Sequence, residues 1–441
     1  MRFVALASVL EALFLWLRWL NHLSAFAVET IGTMLLAGAT YLVACYLVLK
    51  HSHISRSGLR IWIVAAAAAF RLTVWPLAPT LSDDPFRYRW EGQLQAAGGN
   101  PYQTRPNDPE WQHLRDSAFP KVVGRDFKAV YGPLLEQMEL WTYRAVSIFE
   151  TDPVRQVFWF KLPFALLDLG VIAALWTWLR ARGVPVERVL LYAWCPLPVL
   201  EFWATGHNDS FPILFTALAF MAAARERWTW SFAALSLAGA AKLWPLLLFP
   251  VFIGWTNGRP ARWFQWWITV PIMGLLAMPY WSDVWENARV LTGFLGGWRN
   301  NDSLFGILLW AATDIYLAKK IAFGIVGGTV LFVTLLGLPL ERAALWILTV
   351  TLMVASNCHP WYLTWILPLL AFTPVPALLL WTTLIPLAYA SVINWSILGE
   401  WHGSGEFRWL QYLPVYGLLA GSWIVGRYRH LRCRMPAKMA Q

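Results

Sequence analysis

Hydrophobic residues in this chain gather into long runs separated by short polar segments, and these runs predict the fold class. Apolar runs recur from residue 3 to residue 426. A helix rises about 1.5 Å per residue, so about 20 apolar residues cross a bilayer core of roughly 30 Å. The runs at 229–241 and 243–256 are shorter, and we expect a re-entrant hairpin or a broken helix there. The pattern predicts an all-α, polytopic membrane protein.

The predicted bundle contains about 12–14 transmembrane helices. The runs lie at 3–20, 27–49, 59–79, 155–179, 188–204, 210–224, 229–241, 243–256, 262–280, 319–338, 342–357, 361–374, 377–396 and 409–426. Basic clusters at 50–60, 180–188, 225–227, 259–262 and 427–434 are expected in the cytoplasm, because short cytoplasmic loops are rich in Lys and Arg. Both termini are then cytoplasmic.

With this threading, the polar segments face outward. These segments are 80–154, 201–209, 281–303, 357–360 and 397–408. The largest, 80–154, contains two amphipathic stretches, 85–97 and 133–149, which we expect to lie on the membrane surface. We therefore treat residues 1–441 as a single integral membrane domain in which 80–154 is the large extracytoplasmic loop that carries the chemistry.

Composition supports the membrane assignment and narrows the function. The chain is 58% hydrophobic and only 14% charged, which excludes an ordinary soluble protein. Its 31 Trp suit side chains at membrane interfaces. The net charge of +10 is explained by the basic loops, so no nucleic-acid partner is expected. The four cysteines show no CxxC spacing and predict neither a metal cage nor a disulfide framework.

The most informative segment follows the third predicted helix and reads Ser82-Asp-Asp-Pro-Phe-Arg-Tyr-Arg-Trp-Glu-Gly92. It places two carboxylates where the chain leaves the membrane. Pro85 suits the first helical position, which makes Asp84 the expected N-cap. Arg87, Tyr88 and Glu91 then follow on nearby faces of one helix. Asp84 is either a capping residue alone or a residue placed for chemistry.

This acidic pair followed by x-x-Arg-Tyr in the first outer loop resembles the GT-C superfamily of membrane glycosyltransferases. Within it, the chain is most similar to the bacterial polyprenyl-phosphate-mannose-dependent mannosyltransferases, a glycosyltransferase family 87-like group. The similar stretches follow in family order: Ser82 to Gly92, Gln95 to Tyr102, Tyr131-Gly-Pro-Leu134, Gly206-His-Asn-Asp209, Lys242-Leu-Trp-Pro245 and His359-Pro-Trp-Tyr362.

The resemblance implies an inverting transfer, in which an acceptor hydroxyl attacks the anomeric carbon of a polyprenyl-phosphate hexose. An alcohol needs a base to accept its proton, and an Asp at a loop–helix junction can do this. Asp84 aligns best with the acidic residue of the family, because it stands three residues before Arg87. Asp83 is the alternative, and two close carboxylates can share a proton. The resemblance also implies the bacterial inner membrane.

The leaving phosphate requires positive charge, and polar groups must bind the sugar. Candidates for the phosphate are Arg87, Arg89, Lys242, Arg299 and His359. Candidates for sugar contacts are Tyr88, Glu91, Tyr131, His207, Asn208, Asp209, Asn301 and Tyr362. Each also has a simpler explanation: Lys242 can reach the interface as a snorkelling lysine, His359 can be solvated, and Asp209 can cap a helix. The same capping explanation applies to Asp302.

The donor is expected to be lipid-linked, because the sequence contains no phosphate-binding glycine loop and no soluble nucleotide domain. Mannose is the sugar that the resemblance implies, although small pocket changes would admit glucose, galactose or arabinose. No cofactor and no metal are predicted, while the Asp83/Asp84 pair leaves a divalent cation open. The acceptor is a glycan, a glycolipid or a protein hydroxyl, and membrane lipids surround the chain.

Two other classes of protein fit part of the pattern. A transporter or flippase of lipid-linked sugars would also need many helices and intramembrane charge, and Lys161 and Asp168 fall on one face of a predicted helix. However, the sequence shows no long inverted repeat, and its polar motifs gather on one predicted side. A ligase of whole glycans would be expected to carry its outer loop late in the chain, whereas this loop follows helix three.

Overall fold

The computed structural model describes residues 1–50, 57–256, 262, 264–283, 299–393 and 405–434. The helices are α1 Arg2–Leu20, α2 Ala27–Lys50, α3 Ser57–Val74, α4 Asp84–Ala96, α5 Pro133–Val146, α6 Pro153–Trp159, α7 Lys161–Ala181, α8 Leu190–Ala193, α9 Pro196–Pro198, α10 Ser210–Ala224, α11 Trp228–Ala241, α12 Phe249–Trp255, α13 Thr269–Ala277, α14 Leu304–Ala312, α15 Ile315–Leu335, α16 Leu340–Val354, α17 Leu367–Leu370, α18 Pro376–Leu384 and α19 Gly405–Arg434.

Short 3₁₀ segments and one π-helical turn connect these helices. The 3₁₀ segments are Pro109–Leu114, Phe119–Lys121, Val186–Val189, Trp244–Leu248, Phe264–Ile268, Met278–Asp283, Pro360–Trp365 and Ile385–Tyr389, and the π-helical turn is Val199–Thr205. Within the described ranges there is no β-strand, and the extended pairing is a single bridge between Asn300 and Asn357. The predicted all-α class is confirmed.

Five helical stretches in the described part of the chain are long and apolar enough to cross a membrane. They are Arg2–Leu20, Ala27–Lys50, Pro153–Ala181, Ile315–Leu335 and Pro376–Ile393. Ser210–Ala224 and Trp244–Trp255 are shorter apolar helices. The chain is therefore an integral, polytopic membrane protein, as the hydrophobic pattern predicts.

The predicted helix bounds hold best where a run is uninterrupted. The predictions 3–20 and 27–49 correspond to α1 and α2. The predicted helix 188–204 instead divides into α8, α9 and the π-helical turn, because Pro196 and Pro198 remove backbone donors from its interior. Parts of the predicted segments 50–60, 259–262, 281–303, 377–396 and 397–408 lie outside the described residues.

The π-helical turn leads into a buried polar segment. It ends at Gly206, which adopts a left-handed conformation with φ of 79°. A Cβ at this position would lie 2.6 Å from Cγ of Lys161, so glycine is required both by its backbone conformation and by close approach. The chain then passes directly to His207, Asn208 and Asp209, all buried.

Asp168 and Lys161, both inside the bundle, have their charges compensated by different partners. Arg71 of α3 donates from Nε to Oδ2 of Asp168 in α7 at 2.6 Å, and both side chains are fully buried. Lys161 donates from Nζ to the carbonyls of Trp75, Leu77 and Trp203 at 2.8, 2.5 and 3.0 Å. Lys161 and Asp168, which the sequence places on one helix face, thus each bind partners from other segments and join α7 to them.

Helix α4 is enclosed by protein. Residues 85–92 are all buried, and a Cβ on Gly92 would lie 2.4 Å from the carbonyl oxygen of Glu139, which shows how closely α5 approaches. Residues 85–92 are therefore packed within the protein and are not the exposed face of an amphipathic helix. By contrast, α5 carries the exposed Trp141. The segment 80–154 thus holds α4 against a second helix instead of leaving it on a surface.

Candidate active site

Asp84 lies at the start of α4 and faces the buried segment after the π-helical turn. Its Oδ2 is 3.5 Å from Nδ1 of His207 and 3.5 Å from the hydroxyl of Tyr88. The Asp84 side chain is 25% exposed, whereas His207 is fully buried. On its other side, Nε2 of His207 is 3.5 Å from Oε2 of Glu201. One imidazole therefore lies between two carboxylates, one accessible and one enclosed.

The surroundings of Asp84 favour its ionised form. Burial raises the pKa of a carboxyl group, but the hydrogen bond and charge of His207, with the charges of His359 and Lys242, outweigh that effect and lower the pKa of Asp84 below its usual value. For Asp83, burial dominates over the attraction of Lys121, and its pKa is raised. The surroundings therefore favour the charged form of Asp84 and the protonated form of Asp83.

Lys242 follows the end of α11 and faces the same site. Its Nζ donates to Oδ2 of Asp209 at 2.8 Å and lies over the rings of Tyr131 and Tyr362, at 5.3 and 5.9 Å from their centroids. The Lys242 side chain is 12% exposed, and Asp209 is fully buried. An ammonium has three N–H donors, so Lys242 can bind Asp209 and still donate to an anion.

The turn at Gly132 packs closely against the end of α11 and holds Tyr131 beside Lys242. Gly132 donates its N–H to the carbonyl of Ala241 at 3.0 Å. A Cβ on Gly132 would lie 2.0 Å from the carbonyl oxygen of Ala240, so no larger residue fits without moving the turn or the helix end. This contact explains why Gly-Pro follows Tyr131 in the sequence.

An aromatic layer covers the site from the segment after α16. Trp361 stacks with His207 at 3.7 Å and with His359 at 4.4 Å between ring centroids. Trp365 donates from Nε1 to Oδ1 of Asp209 at 2.7 Å, so Asp209 accepts from two side chains. Burial lowers the pKa of His359 to about 4 despite the nearby charge of Asp84, and His359 is neutral at pH 7. Lys242 is therefore, with His207, a source of positive charge that acts on Asp84.

Nine of the predicted residues meet here. They are Asp84, Tyr88, Tyr131, His207, Asn208, Asp209, Lys242, His359 and Tyr362. The amide nitrogen and oxygen of Asn208 are buried without a hydrogen-bond partner. Buried amides normally have partners. Asn208 therefore offers a donor and an acceptor that the described part of the protein leaves unused.

Other predicted residues have separate partners. Arg87 donates to Glu91 at 2.6 Å and to the carbonyls of Gly124 and Phe127 at 2.8 and 3.0 Å. These bonds tie residues 124–127 to α4 and occupy the guanidinium. Similarly, Arg89 binds Gln156 and Asp116 at 2.8 Å each.

The Asn-Asp-Ser stretch before α14 is also engaged. Asp302 pairs with Arg299 at 2.9 Å and with Arg408 at 2.5 Å. Asn301 donates from Nδ2 to the carbonyl of Cys358 at 2.8 Å. This segment therefore braces the loop that precedes His359. Arg299 and Asn301 lie in that supporting layer.

The capping predictions are wrong. Helix α4 begins at Asp84 with Asp83 in the N-cap position, and Asp83 makes no side-chain capping bond. Asp209 occupies the N-cap position of α10 without a capping bond, because Lys242 and Trp365 occupy its oxygens. Asp302 is likewise engaged by two arginines. Local spacing suggested capping, but tertiary partners compete for the carboxylates.

Sequence reasoning missed three groups that touch this site. Glu201 contacts His207 and accepts a hydrogen bond from Tyr389 at 2.7 Å, and Trp361 and Trp365 form the aromatic layer. A carboxylate within the apolar run 188–204 is itself a signal for a functional or paired group. Trp361 lies inside the motif His359-Pro-Trp-Tyr362 but was not named as a site residue, and Trp365 carried no signal among the 31 tryptophans of the chain.

A family model described as MptA_B family, alpha-(1->6)-mannopyranosyltransferase, N-terminal domain, matches residues 3–259. That range is more than half of the chain and contains Asp84, His207 and Lys242. The chain belongs to this family. No curated protein and no solved structure matches it.

Membership confirms the resemblance to mannosyltransferases drawn from the motifs. The protein is a membrane glycosyltransferase of a mannosyl-transferring family, which requires a sugar donor and an acceptor. This favours an enzyme over the transporter and flippase alternative. The family match ends before His359, so the aromatic layer comes from the part of the mannosyltransferase beyond the matched domain.

Proposed function

We propose that this protein transfers mannose, with inversion, from a polyprenyl-phosphate donor to an acceptor hydroxyl at the outer face of the bacterial inner membrane. The observation that carries the proposal is the pairing of a partly exposed, ionised Asp84 with the Lys242 ammonium in one site. One group can accept the proton of an attacking hydroxyl, and the other can bind a leaving phosphate.

In this reaction Asp84 is the general base. The acceptor oxygen forms a bond to the anomeric carbon as the bond from that carbon to the phosphate oxygen breaks, and the acceptor proton passes to the carboxylate of Asp84. His207 stays beside Asp84 and keeps it ionised between turnovers. Asp83 remains the alternative base, and the cation that acts on it is Lys121 of the same loop.

The leaving phosphate is placed beside Lys242. The phosphate gains charge as the bond breaks, and a fixed ammonium stabilises that charge in the transition state. Asp209 and Trp365 hold the lysine side of the site in position. Asn208 and Tyr131 are the nearest polar groups for hydroxyls of the sugar.

The family description gives an α-(1→6) linkage, which indicates a primary hydroxyl at carbon 6 of a mannose as the acceptor. A primary alcohol extends from the sugar ring and can reach a carboxylate that is only 25% exposed. The reaction requires no cofactor in this scheme, since a carboxylate and an ammonium supply the acid–base and electrostatic chemistry.

The test uses the full chain in nanodiscs with a panel of polyprenyl-phosphate sugars and short mannosides. We expect turnover with the mannose donor and a product linked through carbon 6. Asp84→Asn is expected to lower kcat by about 10²–10⁴-fold, the usual contribution of a general base. Asp83→Asn identifies which carboxylate is the base.

Glu110→Gln is the matched control, because Glu110 is an exposed carboxylate of the same loop. It should transfer mannose at the wild-type rate. Full activity of Asp84→Asn, with loss of activity in Asp83→Asn, would reassign the base. Absence of transfer from every lipid-linked donor, in protein that remains folded, would refute the donor class.

A further inference from the structure

Three carboxylates meet between α4 and α5, away from the transfer site. They belong to Glu91, Glu136 and Glu139, and one oxygen from each lies within 4.8 Å of the others. All three residues are buried, at no more than 1% exposure. Glu136 and Glu139 project from the first turns of α5, and Glu91 comes from α4. The cluster therefore joins two helices of the loop 80–154.

Several oxygens of this cluster lack partners. Oε2 of Glu91, Oε1 of Glu136 and both oxygens of Glu139 are buried and accept no hydrogen bond in the described part of the protein. Glu91 binds Arg87 through its other oxygen, and Glu136 accepts a long bond of 3.3 Å from Gln95. Unpaired buried carboxylate oxygens are costly, so native proteins supply a proton or a cation to them.

The charge balance also indicates a missing positive group. Three carboxylates carry three negative charges when ionised, and Arg87 is the adjacent cation that binds one of them. Carboxylates that are buried so close together repel one another when ionised, and a divalent cation would neutralise two of the charges.

We infer that Glu91, Glu136 and Glu139 form a divalent-cation site that fastens α4 to α5. The ligands are all oxygen atoms, which selects hard cations such as Ca²⁺, Mn²⁺ or Mg²⁺ over Zn²⁺. Two ligands on opposite sides of Ca²⁺, each about 2.4 Å from the ion, are about 4.8 Å apart. The three oxygens are no farther apart than two ligands of one Ca²⁺ ion can be, and Ca²⁺ is the first ion to test.

The cation would act by positioning and would take no part in bond making. Glu91 lies seven residues after Asp84 on the same helix, about 10 Å along its axis. Fastening α4 at Glu91 fixes the helix whose first turn carries Asp84. Binding of the ion can be measured without any sugar substrate, so the test of the cation site is independent of the test of the proposed reaction.

The experiment titrates CaCl₂, and separately MnCl₂, into chelator-treated full-length protein in nanodiscs by calorimetry. We expect one saturable site for Ca²⁺ and release of protons, detected as a heat that depends on the ionisation enthalpy of the buffer. Thermal unfolding should occur at higher temperature with Ca²⁺ than with chelator. Wild-type protein that binds no cation in this titration would overturn the inference.

Two substitutions and a control complete the test. Glu139→Gln and Glu136→Gln each remove one ligand charge, and each should weaken Ca²⁺ binding at least tenfold and remove the response to chelator. Glu110→Gln, in the same loop but exposed, should bind as the wild type does. If both cluster variants bind Ca²⁺ as tightly as the wild type, the ion binds elsewhere. Because both substitutions relieve repulsion, we expect both variants to fold.

Discussion

Nζ of Lys242 lies 2.8 Å from Oδ2 of the fully buried Asp209. This bond fixes the ammonium beside Asp84 and compensates a carboxylate that has no access to water. A buried pair of this kind is sensitive to loss of either member, since the remaining charge is left unpaired. Lys242 therefore has two separable effects, on binding and on stability.

We predict that Lys242→Gln lowers kcat/KM for the lipid-phosphate donor by about 10–100-fold, the value of a charge-assisted hydrogen bond. Initial rates at varied donor concentration measure this effect. The double substitution Lys242→Gln/Asp209→Asn removes both charges and should recover thermal stability without recovering donor binding. Recovery of both properties in the double variant would show that Lys242 serves only to neutralise Asp209.

His207 controls the ionisation of Asp84. We predict that His207→Phe moves the acidic limb of the kcat/KM profile to higher pH, because Asp84 loses the hydrogen bond and charge that lower its pKa and retains the burial that raises it. The pH dependence of transfer, measured for both proteins, checks the direction. Trp361→Phe keeps a ring beside His207 and should leave the acidic limb in place. A limb that does not move in His207→Phe would remove His207 from this role.

A substitution at Gly132 tests its close contact with the end of α11. Gly132→Ala would place a Cβ 2.0 Å from the carbonyl oxygen of Ala240 and so displace Tyr131 or Lys242. We predict about 10²-fold lower kcat/KM, since a shift of about 1 Å in a positioning group can cost that much. Gly328→Ala in α15 meets no atom within 4 Å and serves as the control. Equal transfer rates in the two variants would show that the contact at Gly132 tolerates an added methyl group.

The glutamate cluster predicts an unusual pH dependence of stability. The pKa of Glu139 is raised in the folded protein, so the protonated side chain stabilises the fold. This contribution is complete below the ordinary pKa of 4.5 and is lost as the pH rises through the higher pKa of the folded protein. In chelator, the unfolding temperature of the wild type should therefore fall between pH 4.5 and neutrality. Added Ca²⁺ should reduce that fall, and Glu139→Gln should show a smaller fall than Glu110→Gln. The same slope in both variants would assign the pH dependence to other groups.

Much of the fold follows from local pattern. The hydrophobic runs predict α1 and α2 closely, because length and apolarity alone decide whether a helix can cross a bilayer. The same reasoning treats 188–204 as one helix, whereas prolines and a π-helical turn divide it. Hydropathy averages over such positions, and the backbone hydrogen bonds that decide the path are set by neighbouring segments.

The site was predictable where motifs marked it. The Asp-Asp-Pro, Gly-His-Asn-Asp and His-Pro-Trp-Tyr stretches lie far apart in sequence and meet around Asp84. Glu136 and Glu139 were not predicted, since glutamates three apart on an amphipathic helix usually face water. Their burial depends on the close approach of α4 at Gly92, which no local pattern encodes.

The bond between Arg71 and Asp168 sets an order for biogenesis. The two residues are 97 positions apart, so Arg71 enters the bilayer before its acid has been synthesised. Arg71 lies in the last turn of α3, so its insertion alone costs less than the roughly 2.5–3.5 kcal/mol of an arginine at a helix centre. We expect the third helix to keep Arg71 near water or other polar groups until the seventh helix supplies Asp168. Assembly of the bundle is consequently delayed until the intervening segment has been made.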